Sequence, residues 1–158
     1  MIDIIKKHLA DLTAAKWDDY KSALANNATY EEMATGTRVR GADEYVKAIQ
    51  KWKRAFPDMR ANNVSAKVSG DTVIVELQWE GTHTGSFDGP FGTIAPTNKH
   101  GTLKAVVVFR LEKDKIVEAR HYFDMLTMLT QLGIAPMAGA GMQQPGAGAT
   151  ATPPTRHP

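Results

Sequence analysis

Asp124 stands where two apolar segments meet, the stretch Ile116 to Phe123 before it and Met125-Leu126 after it. A carboxylate in that position is expected to be partly buried. Burial disfavours the charged form and raises the pKa, which suits a general base working near neutral pH. The same residue is also a good N-cap for a following helix, and local sequence leaves both roles open. His83 lies two residues beyond Gly81 and four beyond Trp79, so the three share one face of a regular strand. Trp79 can cover an aromatic ligand. His83, with an ordinary pKa of about 6.5, can polarise a carbonyl or exchange a proton; its alternative is to bind the backbone of the Gly-rich loop that follows. By alternation Arg120, Tyr122 and Asp124 share one face of the last strand and His121 takes the other, unless a bulge exchanges them. Arg120 can anchor an anionic group or pair with Glu118 or Glu112. Tyr30, Glu31 and Glu32 fall on the first strand, where one glutamate must point inward. The sequence does not say which, and a salt bridge at the rim is the competing role for either. His100 reads as a loop residue and His8 as part of an exposed helix face.

Much other chemistry is absent from the 158 residues. There is no cysteine, so disulfides, zinc thiolates, iron–sulfur clusters and thiol nucleophiles are excluded. No Gly-x-Ser-x-Gly elbow, P-loop or dinucleotide fingerprint occurs. His83 and His121 with Asp124 could bind a metal in principle, but no His-x-His or tight His/carboxylate cluster exists, so no metal is expected. The net charge is +2 with Lys and Arg scattered among acids, which argues against a nucleic-acid partner. Lys51, Lys53 and Arg54 form the one dense basic group and read as a solvated helix face. No apolar run is long enough to span a bilayer, and Met1 to Lys7 lacks the apolar core of a signal peptide. The expected location is the cytoplasm.

The elements that must position these groups follow from periodicity. Ile2, Ile5, Leu9 and Leu12, then Trp17, Tyr20 and Leu24, predict a helix or broken helix pair ending near Asn26-Asn27. Ala28 to Ala34 is a short strand, followed by the turn Thr35-Gly36-Thr37. A second helix begins at Ala42 or Asp43, buries Tyr45, Val46, Ile49, Trp52 and Phe56, and stops at Pro57. Strands follow over Met59 to Ser69, Thr72 to Trp79, Thr102 to Leu111 and Ile116 to Phe123, with a long loop from His83 to Gly101 and a tight turn at Glu112 to Lys115. Met125 to Leu132 is a short helical turn ended by Gly133 and Pro136. Residues 1–136 therefore form one α+β domain, in which a curved antiparallel sheet wrapped by N-terminal helices makes a cone with an open mouth. Residues 137–158, rich in Gly, Ala, Pro, Thr and Gln, are expected to be a flexible tail. Val106 to Phe109 is apolar on both faces, as a strand between its own core and a second copy would be.

Four stretches together resemble the SnoaL-like polyketide cyclase (ester cyclase) family, within the nuclear-transport-factor-like cone fold. They are Trp52-Lys-Arg-Ala-Phe-Pro-Asp58; Gly70-Asp71 leading into Trp79-Glu-Gly-Thr-His-Thr-Gly85; Pro96-Thr97; and Lys115-Ile-Val-Glu-Ala-Arg-His-Tyr-Phe-Asp124 running into Gln131-Leu132-Gly133. The resemblance covers roughly residues 1–135. It implies the cone fold, frequent dimers or larger assemblies, and no cofactor; the expected partners are an apolar or aromatic small-molecule substrate and, with the apolar Val106 to Phe109, a second copy in a homodimer. In cyclase members it implies intramolecular aldol closure of a polyketide ester, driven by an acid/base carboxylate at the end of the last long strand. That residue is Asp124 here; the reading of the residues adds His83 as a second catalytic candidate and Trp79, Tyr30, Glu32, Arg120, His121 and Tyr122 as candidate substrate contacts. Asn98 stands where many relatives have glycine after Pro-Thr, which alters a loop near the mouth. The rival functions are a non-enzymatic binding protein on the same fold and a hydrolase or isomerase in the same pocket.

Overall fold

The computed structural model describes residues 1–89 and 92–134, so the tail read from residue 137 onward lies outside the described residues. The predicted N-terminal pair of helices is α1 (Ile2–Thr13) and α2 (Trp17–Ser22). The break between them is held by Ala15 in a left-handed conformation, φ 54°. The chain then becomes strand earlier than expected. β1 spans Leu24–Glu32, and Asn26-Asn27 lies within it rather than ending a helix. The reason is packing: Leu24, Ala28, Tyr30 and Glu32 all turn inward, and the register shifts between Leu24 and Thr29 to allow it.

β2 (Thr37–Arg40) returns along β1, and α3 (Ala42–Ala55) follows. β3 (Arg60–Ser69), β4 (Thr72–Thr82), β7 (His100–Glu112) and β8 (Lys115–Phe123) form the long strands. The stretch read as an unstructured loop contains a small hairpin, β5 (Phe87–Gly89) with β6 (Gly92–Ile94). His100 opens β7 rather than lying in that loop. The main sheet has the order β2-β1-β8-β7-β4-β3 and does not close into a barrel. It is not wholly antiparallel, because β1 runs parallel to β8. The two strands are separated by most of the chain, so no short connection constrains their relative direction.

One face of this curved sheet packs on the helices. Val73, Val75 and Leu77 of β4, Val107 and Phe109 of β7, and Ile116 and Ala119 of β8 are buried there against Ile5, Leu9 and Leu12 of α1 and Tyr45 and Ile49 of α3. His8 belongs to this core, with 1% of its surface exposed, and not to the outer side of α1. It lies three residues from Ile5 and four from Leu12, on the buried stripe. The opposite sheet face carries Ile74, Val106, Val108 and Tyr122. The β7–β8 turn places Lys113 and Asp114 at φ 47° and 62°, the mirror-image turn that matches strand twist and usually takes Asn-Gly.

The loop after β4 is pinned at its base. His83 N–H donates to Lys99 O, Asn98 N–H to His83 O, and the amides of Thr84 and Gly85 both donate to Ala55 O at the end of α3. A β-carbon on Gly85 would sit 2.0 Å from the Arg54 carbonyl oxygen, a fixed backbone atom. Gly85→Ala is therefore expected to lower stability by about 1–3 kcal/mol, measured by urea unfolding, through loss of the loop's seat on α3.

Candidate functional site

β1 sends Tyr30 and Glu32 inward two residues apart, and the parallel pairing sets Glu32 opposite His121 on β8. β4 brings Trp79 from the other side. The buried stripe of α3 supplies Trp52. These five side chains form one connected hydrogen-bond path. Trp79 Nε1 donates to His121 Nε2 at 3.0 Å. His121 Nδ1 lies 3.0 Å from Tyr30 Oη, and Tyr30 Oη donates to Glu32 Oε2 at 2.7 Å. Trp52 Nε1 donates to the same carboxylate oxygen at 2.7 Å, and Thr35 Oγ1 donates to Oε1 at 2.6 Å.

The direction of the path follows from donor inventory. An indole N–H can only donate, so His121 Nε2 accepts and Nδ1 carries the proton. Tyr30 accepts that proton's bond and spends its own on Glu32. His121 is thus neutral with both nitrogens engaged. Burial pushes its pKa down to about 4 because the charged form would be poorly solvated. Burial raises the Tyr30 phenol well above its ordinary value, and the Glu32 charge adds to the effect.

Three members of this path, Trp52, Trp79 and His121, line a narrow cavity of about 70 Å³, and Tyr30 and Glu32 lead away from it. Trp52, Phe56, Leu103, Phe123 and Met128 make its surface mostly apolar, and His121 is its buried titratable group. The short helix α4 (Met125–Gln131) closes one side. Gln131 clamps it to β7, its Oε1 accepting from Thr102 N–H and its Nε2 donating to Thr102 O, both at 2.7 Å. On the far side of Glu32 a more polar cleft of about 260 Å³ opens among Thr35, Thr37, Lys47 and Lys51.

Of the residues singled out by sequence, Tyr30, Glu32, Trp79 and His121 meet here. Glu32, not Glu31, is the inward glutamate, with 2% of its surface exposed. Asp124 is elsewhere. The expected burial and raised pKa are both corrected: it is an exposed N-cap of α4, its Oδ1 accepting from Leu126 N–H at 2.9 Å and its Oδ2 from Thr127 Oγ1 at 2.6 Å. The Thr127 hydroxyl first, and the amides of Thr127 and Leu126 after it, hold its carboxyl below the ordinary value. Alternation explains the placement, since Arg120, Tyr122 and Asp124 share the outer face, where Asp124 borders an open groove with Lys104 and Tyr122.

His83 is fully buried yet lies outside this cavity's lining. Its Nδ1 accepts from Thr97 N–H at 3.2 Å and lies 3.1 Å from Thr97 Oγ1, with the ring against Phe56 at 5.1 Å. It binds the Gly-rich loop, the alternative already open to it, and burial lowers its pKa. Arg120 forms a surface ion pair with Glu118 at 3.2 Å. Tyr122 is 39% exposed on that same outer face. His100 joins a rim network instead, 3.0 Å from Glu80 Oε1 and 3.1 Å from Thr82 Oγ1.

The sequence reading missed Trp52, Thr35 and Gln131 as site residues. Trp52 was legible only as core, although a buried indole N–H demands a partner. Among the described residues no group of three or more His, Asp or Glu could hold a metal ion, and no helix is long and apolar enough to cross a membrane.

The sequence model of SnoaL-like polyketide cyclases matches residues 3–132. The chain belongs to the SnoaL-like polyketide cyclase family. Its fold is similar to that of a candidate SnoaL-like polyketide cyclase from Jannaschia sp. CCS1, with a TM-score of 0.75 and 19% identity over 85% of this chain and 92% of that one. IdmH, a candidate polyketide cyclase from Streptomyces antibioticus, gives a TM-score of 0.70 and 26% identity over 83% of this chain and 96% of that one. A protein with a ketosteroid isomerase-like fold from Catenulispora acidiphila, crystallised with trimethylamine, gives a TM-score of 0.71 and 17% identity over 83% and 92%. No curated protein matches the chain.

The neutral His121 has a consequence for pH. Its folded pKa of about 4 lies below the unfolded value of about 6.5, so between those values the unfolded chain binds the extra proton. Its contribution to stability is complete above pH 6.5 and is lost as pH falls toward 4. The loss expected from His121 is on the order of 3 kcal/mol. His8 and His83, also lowered by burial, lose stability in the same direction, so the His121 part is the difference between the unfolding curves of the unaltered protein and His121→Phe at stepped pH, and a ¹⁵N titration should find the His121 ring neutral at pH 5.

Proposed function

We propose that this SnoaL-like protein is a cofactor-free enzyme that moves a proton next to a carbonyl in a flat, largely apolar, polyketide-derived substrate. In this reading His121, rather than Asp124, handles the proton. The observation that carries it is the directed path that starts at Trp79 and His121 in the lining of an apolar cavity and leads through Tyr30 to the buried Glu32. The family membership and the likeness to IdmH support the substrate class.

The chemistry follows from that path. A substrate carbonyl entering the cavity competes for the Trp79 N–H and draws it off His121 Nε2. The indole then polarises the carbonyl oxygen, and the freed Nε2 lone pair takes the proton from the adjacent carbon. The resulting enolate carbon attacks a second carbonyl carbon of the same molecule, forming the ring bond, and the new alkoxide takes the proton back from Nε2. While the imidazole is charged, Nδ1–H stays bonded to Tyr30, and Glu32 two groups away balances the charge through the low-dielectric wall. A polyketide enolate spreads its charge over neighbouring carbonyls, so positioning and one base supply the needed rate. Pairing of two copies across the sheet face that carries Ile74, Val106, Val108 and Tyr122 belongs to the same reading, as does a cytoplasmic location.

The second reading is a pocket that holds an apolar ligand without reaction, and it is favoured by the protein partners on both His121 nitrogens. Hydrogen–deuterium exchange at the acidic benzylic carbon of 2-tetralone in D₂O, followed by NMR, separates the alternatives. The protein is expected to accelerate exchange. His121→Phe should reduce the acceleration by about 10²–10⁴-fold, while Asp124→Asn should leave it unchanged. Loss of exchange in Asp124→Asn with His121→Phe unaffected would restore the carboxylate mechanism. Binding without exchange in the unaltered protein would leave the binding role.

A further inference from the structure

His8 has no hydrogen-bond partner on either ring nitrogen, although 1% of its surface is exposed. A backbone group of Tyr20 lies close to the ring but not at hydrogen-bonding geometry. Tyr20 stacks on one face of the imidazole, centroids 3.8 Å apart at 13°, and Tyr45 and Phe109 present edges to it. The ring is thus positioned by aromatic packing alone. An orphaned polar group in a core costs free energy that an apolar residue of the same size avoids.

His8 lines an inner cavity of about 40 Å³. Trp52, Met59, Trp79 and His121 line this cavity and also the one closed by α4. The two spaces are therefore separated by a wall in which Trp79 is a half-buried side chain held to His121 by one hydrogen bond. Each space alone is far below the roughly 300–1,000 Å³ of ordinary ligand pockets. A small shift of the indole off His121, the displacement that a substrate carbonyl taking the Trp79 N–H would bring about, would open the two spaces to each other between α4 and α1 while leaving the indole at their junction.

We propose that His8 is the polar end of a deep ligand subsite, where its unpaired nitrogens receive the hydroxyl or carbonyl oxygen at the leading end of an aromatic substrate. This inference rests on the reading that the cavity is the reactive site, and it gives that substrate a shape: long enough to pass His121, flat, neutral, and tipped with oxygen. A neutral imidazole offers one N–H donor and one bare acceptor, so it pairs with a phenol or a ketone. Burial holds His8 in that neutral form, its pKa lowered to about 3; the side chains lining its cavity carry no cation for a carboxylate or phosphate, and Lys7 and Asp11, the charged groups that act on the ring, are paired with each other. His121 would then meet the middle of the molecule, as its place in the shared wall requires.

The test uses 2-naphthol and naphthalene, which differ only by the hydroxyl, with binding followed by tryptophan fluorescence and by ¹⁵N–¹H spectra of the histidine rings. 2-Naphthol is expected to shift the His8 ring nitrogens, and naphthalene to leave them nearly unmoved. In His8→Phe the affinity of 2-naphthol relative to naphthalene should fall by about three- to tenfold against the unaltered protein, with naphthalene affinity retained. If the variant does not fold, the ¹⁵N shifts in the unaltered protein decide the matter. Equal ratios in both proteins, or binding of both probes that moves the Trp79 and His121 signals while His8 stays silent, would overturn the deep subsite and leave the reactive cavity standing. Probes that move none of Trp79, His121 and His8 at saturating concentration would overturn the cavity as a ligand site and this inference with it.

Discussion

A carboxylate withdrawn from water is tolerated only where donors surround it, and the burial of Glu32 imposes that condition on much of this fold. Its two oxygens accept from Tyr30, Trp52 and Thr35. Those donors sit on β1 itself, on α3 and in the turn before β2. Through Tyr30 the requirement reaches His121 on β8, and through His121 it reaches Trp79 on β4. Helix, turn and three strands are fixed relative to one another by a single charge. The part of the wall made by Tyr30, Trp52 and His121 is consequently set before any ligand arrives, and Trp79, tied to it by one hydrogen bond, is the part left able to shift.

Three histidines are buried among the described residues, and they differ in how far the protein satisfies them. His121 has a partner on each nitrogen. His83 has partners on one nitrogen and none on the other. His8 has none. All three are held neutral by desolvation. Their roles track their partners: a relay through the wall, an anchor for the Gly-rich loop, and an unpaired group facing a void. The type of residue alone carried none of this information.

The alternation on β8 was legible, and the grouping of Arg120, Tyr122 and Asp124 against His121 is what the structure has. Which face of that strand meets the cavity was not legible from the motif. The family resemblance directed attention to the carboxylate at the strand end, while the apolar neighbours Ala119 and Phe123 lie on the histidine's side. The helices α1 and α3 could be read because their apolar stripes are long and regular. β2, β5 and β6 could not, since three or four residues carry no period. The parallel pairing of β1 with β8 joins residues about ninety positions apart, so no local signal announces it, and the site depends on it. Asn26-Asn27 looked like a helix end because asparagine favours turns, yet inward packing of Leu24 and Ala28 overrode that preference. His8 was misread for a related reason: a polar residue on an amphipathic helix is normally assigned to water, and only tertiary contacts show that α1 buries it.

At the rim α4 is tied to β7 by one side chain, Gln131, paired to the N–H and C=O of Thr102, while Met128, Leu129 and Leu132 bury its inner side in the core. Such a latch separates two quantities that most pockets couple. In the proposed reading the affinity of a guest would depend on the inner wall of aromatic rings, whereas passage beside α4 would require the two rim hydrogen bonds and the buried contacts of Met128, Leu129 and Leu132 to give way together. Changes at position 131 or in the following turn can therefore alter residence without rebuilding the interior, and a lineage of such proteins can adjust turnover and substrate choice on separate parts of the chain.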